Sequence, residues 1–156
     1  MKRIFAALAL GLVLVGCQTQ PGKVNDIHTG LSAKHSGRYS VHNGLFDSMN
    51  VTAIVGTRGG ETRYALGTSY LSTGLGWAFF QSAWSYGKQL NFKVTNEKLL
   101  GCASGCSMIE EGTVQLSKSA FEAAAKNGLE FKLVGKNREM VVKVPAKVFR
   151  EALDVK

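Results

Sequence analysis

The chain contains little of what marks several common protein classes. Its 156 residues include three cysteines, two prolines and three histidines, and no histidine follows His42. There is no lysine-arginine run typical of nucleic-acid-binding tracts, so we expect no nucleic-acid partner. The uncharged apolar run over residues 4–15 is shorter than the roughly 20 residues that a membrane-spanning helix needs. The sequence therefore predicts neither a spanning helix nor a nucleic-acid-binding protein.

Motifs that would indicate an enzyme are also missing. No P-loop, dinucleotide fingerprint or G-x-S-x-G elbow occurs in the chain. The adjacent carboxylates Glu110 and Glu111 would point to opposite faces of a strand, a poor geometry for shared acid–base work. We therefore expect a protein that is not an enzyme and that needs no cofactor.

Three histidines are spaced by seven residues, at His28, His35 and His42. On a helix this spacing would align them along one face and could form a metal site. Glycines interrupt the segment, however, which favours three separate, solvated histidines at the edge of the domain. The sequence therefore predicts no metal site.

The N-terminal segment has the features of an export signal. Lys2 and Arg3 precede the apolar run, and Leu14-Val15-Gly16-Cys17 follows its end. This pattern resembles the lipobox of bacterial lipoproteins. The resemblance implies removal of residues 1–16 and attachment of diacylglycerol and a further acyl chain, such as palmitate, at Cys17. Gln18 stands where Asp would retain such a protein in the inner membrane, so the resemblance implies the outer membrane, with the domain facing the periplasm or the cell surface.

The positive charge is spread along the chain. The formal charge is +8, and removal of the signal would take away two of its positive charges, Lys2 and Arg3. A basic surface could favour anionic envelope polymers such as lipopolysaccharide or peptidoglycan, but a mixed, solvated surface explains the composition more simply. The expected partners are the membrane, through the lipid anchor, and envelope proteins or anionic envelope polymers.

Two cysteines remain once Cys17 is assigned to lipid. Cys102 and Cys106 stand in GCASGCSM, and an even remainder in an exported protein indicates a disulfide. The alternative is a redox-active pair, but the spacing is C-x-x-x-C and no thioredoxin-like pattern surrounds it. The sequence therefore predicts a structural Cys102–Cys106 bond.

The rest of the chain is predicted to form a tether and one domain. Residues 17–36 contain Pro21, Gly22 and Gly30 and little apolar periodicity, so we expect a lipidated, flexible tether there and a single globular domain over 37–156. In residues 49–70 apolar residues alternate around Gly59-Gly60. A two-residue turn there predicts a hairpin that puts Val51, Ala53, Val55, Tyr64 and Leu66 on one face.

An aromatic segment lies between this hairpin and the half-buried strand predicted at residues 89–95. It contains Trp77, Phe79, Phe80, Trp84 and Tyr86, and its glycine flanks favour a strand around residues 77–82 over a helix. One interpretation is a ligand-binding or glycan-binding platform formed by Trp77, Phe79, Trp84 and Tyr86. The other is that the rings fill the core of a small domain.

The C-terminal part changes to a mixed pattern. A strand is predicted over residues 108–116, followed by a helix with Ser119 as N-cap, Glu122 as its capping-box partner and Gly128 at its end. Two further strands precede a last helix that begins at Pro145. The expected fold class is α+β, an antiparallel meander with two short C-terminal helices.

The segment around residues 100–153 resembles the C-terminal part of invasion-associated locus B proteins. The resemblance rests on Gly105-Cys106, the strand and helix pattern, and Phe149 near a terminal helix. It implies a secreted or envelope protein without an enzymatic site. Together these observations predict a lipid-anchored envelope protein with a structural or protein-binding role, with ligand binding through Trp77 and Trp84 as the alternative.

Overall fold

The fold was analysed in a computed structural model that describes residues 20–103 and 105–156. The predicted signal segment and the lipid site at Cys17 lie outside the described residues. The fold is α+β, as predicted: one curled antiparallel sheet with two helices near the C-terminus. Neither helix in the described part of the chain is long and apolar enough to cross a membrane.

The elements follow one another in this order: β1 (Gly22–Asp26), β2 (Leu31–His35), β3 (Tyr39–Asn43), β4 (Asp47–Arg58), β5 (Glu61–Thr73), β6 (Phe80–Ser85), β7 (Lys88–Gly101), β8 (Ser107–Leu116), α1 (Lys118–Asn127), β9 (Leu129–Gly135), β10 (Glu139–Val144) and α2 (Ala146–Asp154). Within the sheet the strand order is β1-β2-β4-β5-β8-β7-β6-β9-β10. Strand β3 pairs with the N-terminal half of β4, and β2 pairs with its C-terminal half. Most neighbouring strands in the sheet are thus hairpins, whereas the β5–β8 and β6–β9 pairs join distant parts of the chain.

The hairpin of β4 and β5 has the predicted register. Val55 lies opposite Tyr64 and Ala53 opposite Leu66. Gly59 and Gly60 form the turn with φ values of +57° and +82°, a backbone conformation that glycine adopts without steric cost. The predicted inward-facing residues all belong to the core or pack against it. Pattern and turn chemistry therefore predicted this element correctly.

The N-terminal tether is shorter than predicted, because residues 22–35 form the hairpin of β1 and β2. Its turn is held by the Asp26 carboxylate, which accepts hydrogen bonds from the backbone N–H groups of His28 and Thr29 and from the Thr29 hydroxyl. Gly30 completes the turn at a φ of +66°. Glycines in this segment predicted a flexible chain, whereas Gly30 is a turn residue.

The two helices cover one end of the curled sheet, which we call the helix end. Phe121 of α1 and Phe149 of α2 meet edge to face with ring centroids 5.1 Å apart, and Tyr64 of β5 packs on Phe121. The N-cap of α1 is Ser117, whose hydroxyl accepts a hydrogen bond from Ala120 N, and not the predicted Ser119. The helix begins two residues earlier than the capping-box pattern indicated.

At the other end, which we call the open end, loops replace helices. The backbone N–H of Thr73 donates to Phe46 O, and that of Gly74 donates to Cys106 O. The N–H groups of Lys136 and Asn137 donate to the loop before β6. The open end therefore brings together the β3–β4, β5–β6, β7–β8 and β9–β10 connections.

Candidate functional site

A chain of four polar side chains joins three of these connections at the open end. Arg138 Nη1 donates to the Tyr70 hydroxyl at 2.6 Å, and that hydroxyl donates to Asp47 Oδ2 at 2.9 Å. The other oxygen of Asp47 lies 3.0 Å from His42 Nε2. A second guanidinium nitrogen of Arg138 lies 3.4 Å from Leu75 O. These contacts tie the β9–β10 turn to the ends of β4 and β5.

The surroundings shift the protonation of two members of this chain. Burial by itself would raise the pKa of the Asp47 carboxyl, but hydrogen bonds from His42 and Tyr70, with the charges of His42 and Arg138, together hold that pKa below its usual value. Burial and the hydrogen bond to Asp47 raise the pKa of Tyr70 to about 12, against the opposing effect of Arg138. Asp47 is therefore an anion and Tyr70 a neutral donor at neutral pH.

The geometry of these four hydrogen-bonded side chains suits a structural role better than catalysis. Among the described residues, the His42 ring has Asp47 as its one hydrogen-bond partner, so no hydroxyl or thiol is positioned for activation. The bonds from Arg138 to Tyr70 and from Tyr70 to Asp47 instead hold the β9–β10 turn against β5 and β4. We assign it a structural role at the open end.

The carboxylates Glu110 and Glu111 point to opposite faces of β8, as predicted. Glu110 is buried and accepts hydrogen bonds from the backbone N–H groups of Ala78 at 2.6 Å and Phe80 at 3.2 Å. Glu111 lies on the outer face, where its carboxylate accepts a hydrogen bond from Asn96. Glu110 therefore anchors the loop that leads into β6, a role that the sequence analysis missed because the donors are backbone groups about 30 residues away.

The three histidines lie in separate places. His28 is in the exposed β1–β2 turn, the His35 ring contacts Ser36 O, and His42 pairs with Asp47. Over the described ranges, no group of three or more His, Cys, Asp or Glu side chains is arranged to hold a metal ion. The spacing of seven therefore does not bring these rings together, because strands and turns have replaced the helix that the metal hypothesis requires.

The four predicted ligand-binding aromatics are divided between the two ends of β6. Trp77 is half-buried and stacks on Phe79 with centroids 5.9 Å apart, and both precede the strand. Trp84 is 40% exposed and Tyr86 89% exposed at its other end. Tyr86 lines a depression of about 580 Å³ in which the other three rings take no part. The structure does not assemble the four rings into one platform.

The aromatic segment also begins its strand later than predicted. Strand β6 starts at Phe80 instead of near Trp77, and Phe79 has a φ of +52°. Glu110 holds the backbone on both sides of Phe79, which explains how a bulky residue is kept in that conformation. Phe80 itself faces the core and meets Tyr70 edge to face.

The two remaining cysteines are joined. A disulfide connects Cys102 and Cys106 at the tip of the β7–β8 hairpin. The carbonyl of Cys106 accepts the hydrogen bond from Gly74 N, so the tip is also tied to the end of β5. The bond closes a short local loop and does not connect distant elements.

One long strand edge has no neighbour. Strand β7 pairs with β8 along most of its length, but with β6 only through Leu90, Gln89 and Lys88. Within the described part of the chain, no backbone hydrogen bond joins residues 91–98 to a strand on the β6 side. All residues from Lys93 to Gly101 are exposed. We call residues 91–98 the free edge.

A bulge shapes the free edge. The register with β8 passes from Val94, opposite Gly112, to Asn96, opposite Glu111, so Thr95 has no partner in β8. After the bulge the side chains exchange faces, which is why the alternation of Leu90, Phe92 and Val94 does not continue. The sequence analysis predicted the strand only over residues 89–95 for this reason.

No protein-family model, no curated protein and no solved structure matches this chain.

Proposed function

We propose that this protein is a lipid-anchored cell-envelope protein whose domain binds an extended segment of another envelope protein, without catalysis. The observation that supports the binding role is the free edge of β7. The signal-like N-terminus and the Leu14-Val15-Gly16-Cys17 pattern support the lipid anchor.

An exposed edge strand offers a row of backbone donors and acceptors that an incoming strand can complete. Most proteins shorten or cover such edges, since they also promote aggregation. Here the edge remains exposed beside a pairing partner, β8, that fixes its geometry. Lys93 and Lys98 discourage indiscriminate pairing, and Glu97 lies between them, so a partner segment needs both polar and charged side chains.

The edge can be tested at Thr95. Because Thr95 has no partner in β8, proline should be tolerated at this bulge while interrupting the row of groups offered to a partner. A photoreactive amino acid placed at Lys93 in intact cells should give a discrete crosslinked product. Thr95→Pro should abolish that product, and the matched control Thr95→Ser should retain it.

Two further measurements complete the test. Circular dichroism and thermal unfolding should show that Thr95→Pro remains folded. A photoreactive residue at the exposed Lys118, on α1, should not give the same product. If the Lys93 product persists in Thr95→Pro, strand addition at this edge is refuted.

The anchor needs its own experiment. Cells grown with labelled palmitate should incorporate the label into the wild-type chain and not into Cys17→Ser. Incorporation into Cys17→Ser would refute the assignment of the lipid to this residue, and no incorporation into either would refute the anchor.

A further inference from the structure

The open end carries a group of exposed apolar side chains that the proposed function does not use. They come from the β3–β4 and β5–β6 connections and from the C-terminal end of β7, and are between 42% and 89% exposed: Leu45, Phe46, Leu75, Leu99 and Leu100. We call this group the apolar rim. Single exposed apolar residues are ordinary, whereas a group of them at one end of a domain is typical of a contact surface.

The backbone contacts show that the rim is one surface. Phe46 and Leu75 flank the same pair of strand ends, since Thr73 N donates to Phe46 O. Leu99 lies opposite Met108 in β8, next to Ser107, and Ser107 lies opposite Thr73 in β5. The strand ends of β4, β5, β8 and β7 therefore stand side by side and place the rim residues along the open end.

The described chain enters β1 from the side of the open end. Gly22 lies opposite His35, which lies opposite Ile54 in β4. Strand β1 runs from Gly22 away from the open end, so the preceding residues leave toward it. Asp47, at the start of β4, is about 23 Å along the strand from Ile54.

The direction in which the chain enters β1 determines which end of the domain can face a membrane. Cys17 stands five positions before Gly22 in the sequence, so even a fully extended chain holds their Cα atoms within about 18 Å of each other. A fully extended link of this length would bring Cys17 to within about 5 Å of the level of Asp47. The helix end, with the β1–β2 turn, points away from this link.

The charges beside the rim match an anionic lipid surface. Lys98 is exposed next to Leu99, Lys136 is exposed in the β9–β10 turn, and the Arg138 guanidinium lies at Leu75 O. Two exposed acids lie nearby: Glu97 on the neighbouring stretch of β7, and Glu139, which pairs with Lys132, beside Arg138. Apolar groups flanked by cations are the combination that binds at the headgroup boundary of an anionic bilayer.

We infer that the apolar rim rests in the headgroup region of the membrane that holds the lipid anchor, so that the open end faces the bilayer and the helix end faces away from it. The inference rests on the proposed anchor at Cys17 for its orientation. The rim itself, and its match to a lipid surface, are independent of how Cys17 is modified.

The test uses single-tryptophan probes in the full chain. Trp77→Phe and Trp84→Phe remove the native tryptophans. Phe46→Trp then places a probe in the rim, with Leu45→Trp as a second rim probe should the first variant be unstable. Ile27→Trp is the matched control, since Ile27 is 87% exposed in the β1–β2 turn at the opposite end. Circular dichroism checks that each variant is folded.

The purified lipidated variants are inserted into phosphatidylethanolamine–phosphatidylglycerol vesicles with and without brominated acyl chains. Rim side chains at the acyl boundary should have their fluorescence quenched about twofold or more by bromine, while the Ile27→Trp probe is unaffected. Equal quenching of both probes, or none in the rim, would overturn the inference. An unquenched rim probe in these vesicles is also the result expected if the rim binds a protein in cells instead of lipid.

A separate arm distinguishes failure of the anchor from failure of the rim. If labelled palmitate does not enter Cys17, the anchor fails, and the full chain is coupled instead through its Cys17 thiol to a maleimide lipid in the same vesicles. Preferential quenching of the rim probe then still supports the rim. Its absence refutes the rim whether or not Cys17 is lipidated in cells.

Discussion

The buried Glu110 carboxylate lies 2.6 Å from the backbone N–H of Ala78 and holds the loop that precedes β6 from inside the curled sheet. Because it also accepts from Phe80 N, one side chain satisfies two backbone donors where the loop enters β6. This contact fixes the path by which the chain crosses from β5 to β6.

Glu110→Gln should therefore destabilise the protein. The amide can accept from one N–H group but turns its own N–H toward the other, so we expect a loss of about 2 kcal/mol or more in the free energy of unfolding. Urea unfolding at neutral pH measures it. The neighbouring Glu111→Gln, on the outer face, should change the same quantity by less than about 0.5 kcal/mol. Equal effects of the two substitutions would contradict this role for Glu110.

Asp47 should make stability depend on acid pH. The pKa of its carboxyl is lowered in the folded protein, so its stabilising contribution is fully present above the unfolded-state pKa of about 4 and is lost as pH falls through the lower, folded-state value. The difference in unfolding free energy between wild type and Asp47→Asn should be largest near pH 7 and shrink below pH 4. Denaturant titrations across this range check it; a difference independent of pH would contradict it.

The two serines near the start of α1 should contribute differently to the free energy of unfolding. Ser117→Ala should reduce the free energy of unfolding by about 1 kcal/mol, because the N–H of Ala120 loses its acceptor. Ser119→Ala should have a smaller effect, since its hydroxyl contacts only that of Ser117. Thermal and urea unfolding of the two variants show which substitution causes the larger loss of stability. The reverse order would support the capping box that the sequence pattern indicated.

The disulfide should make a modest contribution to the free energy of unfolding. A loop as short as that between Cys102 and Cys106 is expected to yield about 2 kcal/mol in the chain-entropy model. The double variant Cys102→Ser, Cys106→Ser should lose at most this amount and remain folded. Reduction of the wild-type protein should lower its stability to the level of the double variant; a larger loss would mean that the bond holds more than its own loop.

Local patterns predicted much of the fold. The β4–β5 hairpin follows from alternation around Gly59-Gly60, since both the turn and the buried face are set by neighbouring residues. Strand β8 and both helices follow from similarly local signals. The β1–β2 hairpin was missed because its strands are short and lack an apolar alternation. Its real signal is Asp26, four residues before Gly30, which is a turn pattern.

The features of the open end could not be read in the same way. Arg138, Tyr70 and Asp47 are far apart in sequence and meet only because β5 pairs with β4 and the β9–β10 turn folds over their ends. The free edge of β7 is equally invisible, since it depends on β6 turning away after three residue pairs. Nonlocal pairing, rather than residue type, determines both surfaces.

The interleaved strand order has a consequence for how the chain folds. Tyr64 of β5 pairs with Leu116 of β8, and Phe80 of β6 pairs with Gly135 of β9, so both pairings close loops of about 50 residues, which slows folding. The β4–β5 and β6–β7 hairpins can form early, but neither encloses a core without β8 and β9. We therefore expect folding in milliseconds to seconds, with the last strands and α2 completing the core only after most of the chain has been synthesised.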